Sequence, residues 1–184
     1  MSLVQSGWKL RHHINAGPVI LGFLIAVLLS QPAAMSARGK RGSIVHVYVD
    51  SEGALHLVDA AGHDTKASRE KDQVAFSSPQ VAGDDQTVGW LAEFPNCCTS
   101  YPIPLTLVIY RDGKIIQRLK PGLMIVDWRF RMEGKQVAFC TNTVHGNSAP
   151  HCELHDVNSA QLLEQFDGNT GERSRAWMDG LVTD

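Results

Sequence analysis

Four cysteines are all that this chain of 184 residues contains, and none precedes position 97. The first 36 residues carry no acidic side chain. Past residue 30 no apolar run approaches the roughly 20 residues that a membrane-spanning helix requires. Each absence narrows the choice. With no cysteine behind the N-terminal apolar run, the sequence argues against a lipid-anchored lipoprotein. With no later apolar run, no membrane span is expected once a leader is removed. Basic residues are also few, 17 Lys and Arg against 19 Asp and Glu, for a formal net charge of −2. A general nucleic-acid binder would show a basic patch or stripe, so no nucleic-acid partner is expected. No nucleophile elbow, no glycine-rich phosphate loop and no recognisably spaced pair of carboxylates occurs. An enzyme, of unknown class, is therefore only the third reading.

The N-terminus is better defined. Lys9, Arg11, His12 and His13 precede the apolar run "GPVILGFLIAVLLS" (17–30), and the small-residue stretch "QPAAMSA" follows it. That order is the one found in a secretory signal peptide. Residues 1–36 are read as a leader, with Ala34 and Ser36 placed for cleavage after Ser36. The alternative is an uncleaved segment that tethers the chain to a membrane. Loss of Lys9 and Arg11 would move the formal charge from −2 to −4. A periplasmic or secreted protein is expected, with one domain over 37–170 and a C-terminal tail or short helix over 171–184.

That domain reads as all-β. In "SIVHVYVD" (43–50), valines 45, 47 and 49 alternate with His46 and Tyr48, the period of a strand with unlike faces. "ALHLVDA" (54–60) returns after a turn. "TKASREKDQ" (65–73) is polar and reads as a loop or a short helical turn. Strands are expected at 87–93, 105–111 and 114–119, the last two joined by Asp112-Gly113, a strong hairpin signal. A second set follows in "VDWRFRMEGKQVAFCTN" (126–142) and "CELHDVNSAQLLEQFDG" (152–168). Aligning the sets places "DDQTVGW" on "EGKQVAF" and Trp90 on Phe139. The offset, about 46 to 49 residues, is that of a repeat built from several short strands.

"MEGKQVAF" resembles the S-P-D-G-K-x-I-A-F core of the TolB-type propeller repeat, a relative of WD-type repeats. "SPQVAGDDQTVGW", "LVIYRDGKIIQRL" and "VHVYVDSEGALHLVDAAG" are similar to parts of the same unit. The resemblance covers residues 43–168. It implies propeller-like antiparallel blades, two of them fairly complete and a third present as its outer half. A closed ring takes at least about four blades, so an incomplete or open arrangement is expected. Exposed sheet would then need a cover. "GERSRAWMDGLVTD" is read as that lid, with Trp177, Met178 and Leu181 on one side of a short helix.

The repeat gives the cysteines a spatial meaning. Loops 94–104, "FPNCCTSYPIP", and 143–151, "TVHGNSAPH", occupy matching positions in successive blades and should share a rim. Cys97, Cys98, Tyr101, Pro102, His145 and His151 would gather there. Cys140 and Cys152 are equidistant from Gly146, so a symmetric hairpin would set them opposite each other. A disulfide between them would contribute about 2 to 3 kcal/mol. Cys97 and Cys98 could bond to each other, or crosswise to Cys140 and Cys152; four cysteines allow three connectivities. Pro95, Pro102 and Pro104 stiffen the first loop, and Tyr101 is an aromatic of the kind enriched at binding hot spots.

The expectation is an exported, non-enzymatic binding module that uses this rim, without a cofactor. Another envelope protein or a second copy of the chain would be the partner. The alternative is a small extracytoplasmic metal-binding protein, with Cys97, Cys98, His145 and His151 supplying two sulfurs and two nitrogens to zinc or copper.

Overall fold

The computed structural model describes residues 42–146, 149–168 and 174–182. The expected leader and the ends of the expected tail lie outside these. Among the described residues no helix is long and apolar enough to cross a membrane.

The fold is all-β, with strands arranged in three antiparallel sheets, none closed into a barrel. The first sheet holds β1 (Ile44–Val49), β2 (Leu55–Asp59) and β3 (Asp64–Lys66) in that order. The second holds β4 (Ala75–Val81), β5 (Val88–Phe94), β6 (Ile103–Arg111) and β7 (Lys114–Leu119). The third holds β8 (Met124–Arg131), β9 (Gln136–Asn142), β10 (His151–Asp156) and β11 (Leu162–Asp167). Each sheet is a meander in which consecutive strands are neighbours, the arrangement of a propeller blade. Among the described residues the first has three strands, and no full propeller is formed.

Alternation along the strands sets each sheet's two faces, and the faces pack in sequence. Leu55 and Leu57 meet Val88, Trp90 and Val108 between the first and second sheets. Leu91, Leu107 and Ile109 meet Trp128, Val137 and Phe139 between the second and third. Trp90 on β5 and Phe139 on β9 thus do the same work one sheet apart. Each is on the second strand of its sheet, faces the preceding sheet and is 1 % exposed. The sequence register between the two sets is therefore the structural one.

Two expectations need correction. Part of 65–73 is neither loop nor helical turn: Thr65 and Lys66 belong to β3 and pair with Leu57 and His56. Strand β4 was not expected at all. Pro79 interrupts its run, and Ser78 has φ 47°, so local signals read as a turn. The sheet tolerates both because β4 is an edge strand, and the register with β5 shifts between Ser77 and Gln80. The bulge is used: the Ser78 carbonyl accepts from Trp128 Nε1 at 3.1 Å, and Gln80 Nε2 donates to the Trp128 carbonyl at 2.8 Å.

The outer face of the third sheet is covered. Met178, Trp177 and Leu181 pack on Cys140, Cys152 and Phe166, around a single 3-10 turn at Ala176–Met178. Two arginines on β8 hold this segment by its backbone. Arg131 donates to the carbonyls of Trp177 and Asp179, and Arg129 to that of Gly180. Trp177 Nε1 donates to Glu164 at 2.9 Å.

Candidate functional site

In an antiparallel meander, loops alternate between the two ends of the sheet. The β5–β6 and β9–β10 loops therefore project from the same end of the second and third sheets, as the repeat requires. The turns β4–β5, β6–β7 and β8–β9 mark the opposite end.

The β5–β6 loop is short and internally tied. Phe94 pairs with Ile103, so the strands remain joined up to the loop. Within it Asn96 Nδ2 donates to Thr99 Oγ1 at 3.1 Å, and Thr99 Oγ1 donates to the Tyr101 carbonyl at 2.6 Å. Prolines at 95 and 102 bound the tied segment and fix φ there. Ile103 is buried, Pro102 is half-buried, and Tyr101 stands 56 % exposed. The loop thus presents an aromatic side chain from a stiff base.

The cysteines resolve in two ways. Cys140 and Cys152 face each other across β9 and β10 and are joined as a disulfide, with Cα atoms 4.0 Å apart. The symmetry about Gly146 located this pair correctly. Crosswise bonding to the rim does not occur. Cys97 and Cys98 are exposed free thiols, with their sulfurs 2.8 Å apart. The neighbouring sulfur shares the Cys98 proton and disfavours charge, which raises the Cys98 pKa. A thiol shifted that way is less thiolate, hence a weaker nucleophile and metal ligand at neutral pH.

The histidines do not join the thiols. His145 is exposed in the β9–β10 turn. His151 opens β10, and both of its ring nitrogens are engaged by carboxylates. Nδ1 bonds Asp167 at 2.5 Å and Nε2 bonds Glu153 at 3.0 Å. Glu153 also takes His155 Nε2 at 2.6 Å, while His155 Nδ1 bonds the Ala160 carbonyl at 3.0 Å. An imidazole with both nitrogens bound to carboxylates has no lone pair for a metal. Among the described residues no group of three or more His, Cys, Asp or Glu side chains is placed to hold a metal ion. Cys97, Cys98, His145 and His151 do not form such a group among the described residues.

The residues 151, 153 and 155 alternate along β10 and so share one face. A sequence showing His-x-Glu-x-His on a strand contains that signal, but the partner Asp167 comes from β11. A second network sits on the first sheet. His56 lies between Asp50 and Asp64, at 2.9 Å and 2.8 Å, and stacks on Tyr48 with ring centres 4.8 Å apart. The bonds to Asp50 and Asp64 raise the His56 pKa. Asp50 is pulled down to about 2, first by the Ala54 amide and then by His56. At His155 and His151 burial opposes the charge, yet their carboxylate bonds prevail and both pKa values are raised. In all three, bonding to carboxylates favours the protonated ring.

No known protein family matches the chain, and no curated protein matches it.

Proposed function

We propose that the chain is an exported, non-enzymatic interaction module built from TolB-type, WD-like propeller repeats. Its contact surface is the rim formed by residues 94–104 and 143–151, and its partner is another envelope protein or a second copy of itself. The observation that carries this reading is the tied β5–β6 loop with Tyr101 exposed on it. Prolines and internal hydrogen bonds reduce the conformational entropy lost on binding. A large amphipathic ring on a stiff base is the kind of side chain that dominates binding energy in interfaces. The meander topology puts the neighbouring loop, with His145, at the same end. His151 belongs to that rim too, with its ring braced by Asp167 and Glu153. The basic start and short apolar run support export.

Site-specific photocrosslinking in the native envelope tests the surface. A crosslinking side chain at Tyr101 should give a discrete adduct that the same group at Met132, 65 % exposed on the opposite end, does not. Equal adducts from both positions, or none from Tyr101, would reject the rim. N-terminal sequencing tests export independently; an intact Met1 on cytosolic protein rules it out.

A further inference from the structure

A cavity of about 420 Å³ lies between β2–β3 of the first sheet and β6–β7 of the second. That volume lies within the roughly 300 to 1,000 Å³ usual for small-molecule sites. We infer that this cavity binds a small organic acid, a single carboxylate carried on an apolar body about the size of one ring.

The walls are of one sign. Lys66, Lys114 and Arg118 line the cavity, and no Asp or Glu does, in a chain whose net charge is negative. The three cations are unequally committed. Arg118 is bound to Glu70 at 2.8 Å, and Lys66 lies 3.8 Å from Asp50. Among the described residues no carboxylate pairs with Lys114. Lys114 is thus the cation most available to an incoming anion, with Lys66 next. The Thr65 and Ser68 hydroxyls add neutral donors.

The floor is apolar, from Leu57, Trp90 and Ile115. Trp90 contributes something more. Its Nε1 is buried and has no hydrogen-bond partner among the described residues. A buried N–H without an acceptor is costly to a fold, and natural proteins keep few of them. Trp90 lines this cavity, but its Nε1 is closed to solvent, so a ligand oxygen meets it only where the ring shifts. An inorganic anion would leave the floor unused, and an uncharged ring would leave the lysines without a partner.

A smaller cavity of about 200 Å³ adjoins the first and shares Leu57, Thr65, Tyr110 and Gly113 with it. Its walls bring Asp59 and Asp112. A second negative group extending that way would meet like charge, so the site selects one carboxylate over two.

Isothermal titration calorimetry on the full chain tests this with 3-phenylpropanoate, its neutral amide, phenylsuccinate and inorganic phosphate. The monocarboxylate should bind saturably, with the amide and the dicarboxylate about tenfold weaker or more. Raising the salt should weaken the acid and not the amide. Lys114→Met alters an exposed side chain and should weaken the acid about tenfold while leaving the amide unchanged. No binding by the acid, equal binding by the amide, competition by phosphate at the same concentration, or an unaffected Lys114→Met variant would overturn the assignment.

Discussion

His56 and His155 occupy different sheets but share one chemistry, an imidazole bound to carboxylate. Their raised pKa values mean that folding favours the protonated ring, and the sign of the pH dependence follows. The stabilisation from His56, His151 and His155 is complete below the ordinary histidine value of 6.5 and fades as pH rises through their raised values. The carboxylates act in the opposite sense. Bonding to His155 is the main cause that lowers the Glu153 pKa below 4.5, and Asp50 sits at about 2. Their contribution is present above the ordinary carboxylate range and is lost as pH falls through those lowered values. Melting temperature should therefore be highest between about pH 4.5 and 6.5 and decline toward pH 9. His155→Gln should flatten the alkaline decline; a wild-type profile flat from pH 6 to pH 9 would contradict the account.

At the scale of elements, the contact between β5 and β8 is the most demanding. Gly89 lies where Trp128 crosses from the third sheet to the second. A Cβ at position 89 would meet the Trp128 ring at 2.6 Å, and Ile109 at 3.2 Å. The ring cannot easily yield, because it is fully buried and its Nε1 is held by the Ser78 carbonyl. Gly89→Ala should therefore destabilise the protein by about 1 to 3 kcal/mol through overpacking, although alanine is otherwise the milder residue in a strand. Chemical denaturation measures it. An unchanged midpoint would show that Trp128 has room to move. The equivalent position in the third sheet is Ala138, where a Cβ is accommodated.

Across the described sheets, the second is the common partner. Its β5 sends Trp90 and Val88 to the first sheet and Leu91 to the third, so neither cluster survives without β5 in place. Folding should accordingly be a single cooperative transition. Trp90 reports on one cluster and Trp128 on the other. With Trp8 and Trp177 replaced by Phe, fluorescence unfolding curves of Trp90→Phe and Trp128→Phe variants, each normalised to its own stability, should each coincide with circular dichroism. A tryptophan transition separated from the loss of strand signal would show that one sheet detaches first.

Short-range signals carried the hairpins, the repeat and the disulfide. Alternating valines made β1 legible, Asp112-Gly113 set the β6–β7 turn, and equal spacing about Gly146 was enough to pair Cys140 with Cys152. Each depends only on the chain's own periodicity and turn chemistry. What the tertiary structure decided depends on neighbours distant in sequence. Pro79 is compatible with a strand only because β4 lies at an edge. The polar segment Asp64–Lys66 becomes a strand because β2 offers it a partner. The bond from His151 to Asp167, sixteen residues on, exists because β11 pairs with β10. The cationic cavity exists only where two sheets bring Lys66 of the first and Lys114 of the second to line one space. Periodicity assigns residues to a face, but which face meets which, and where they fail to meet, is settled by packing among sheets.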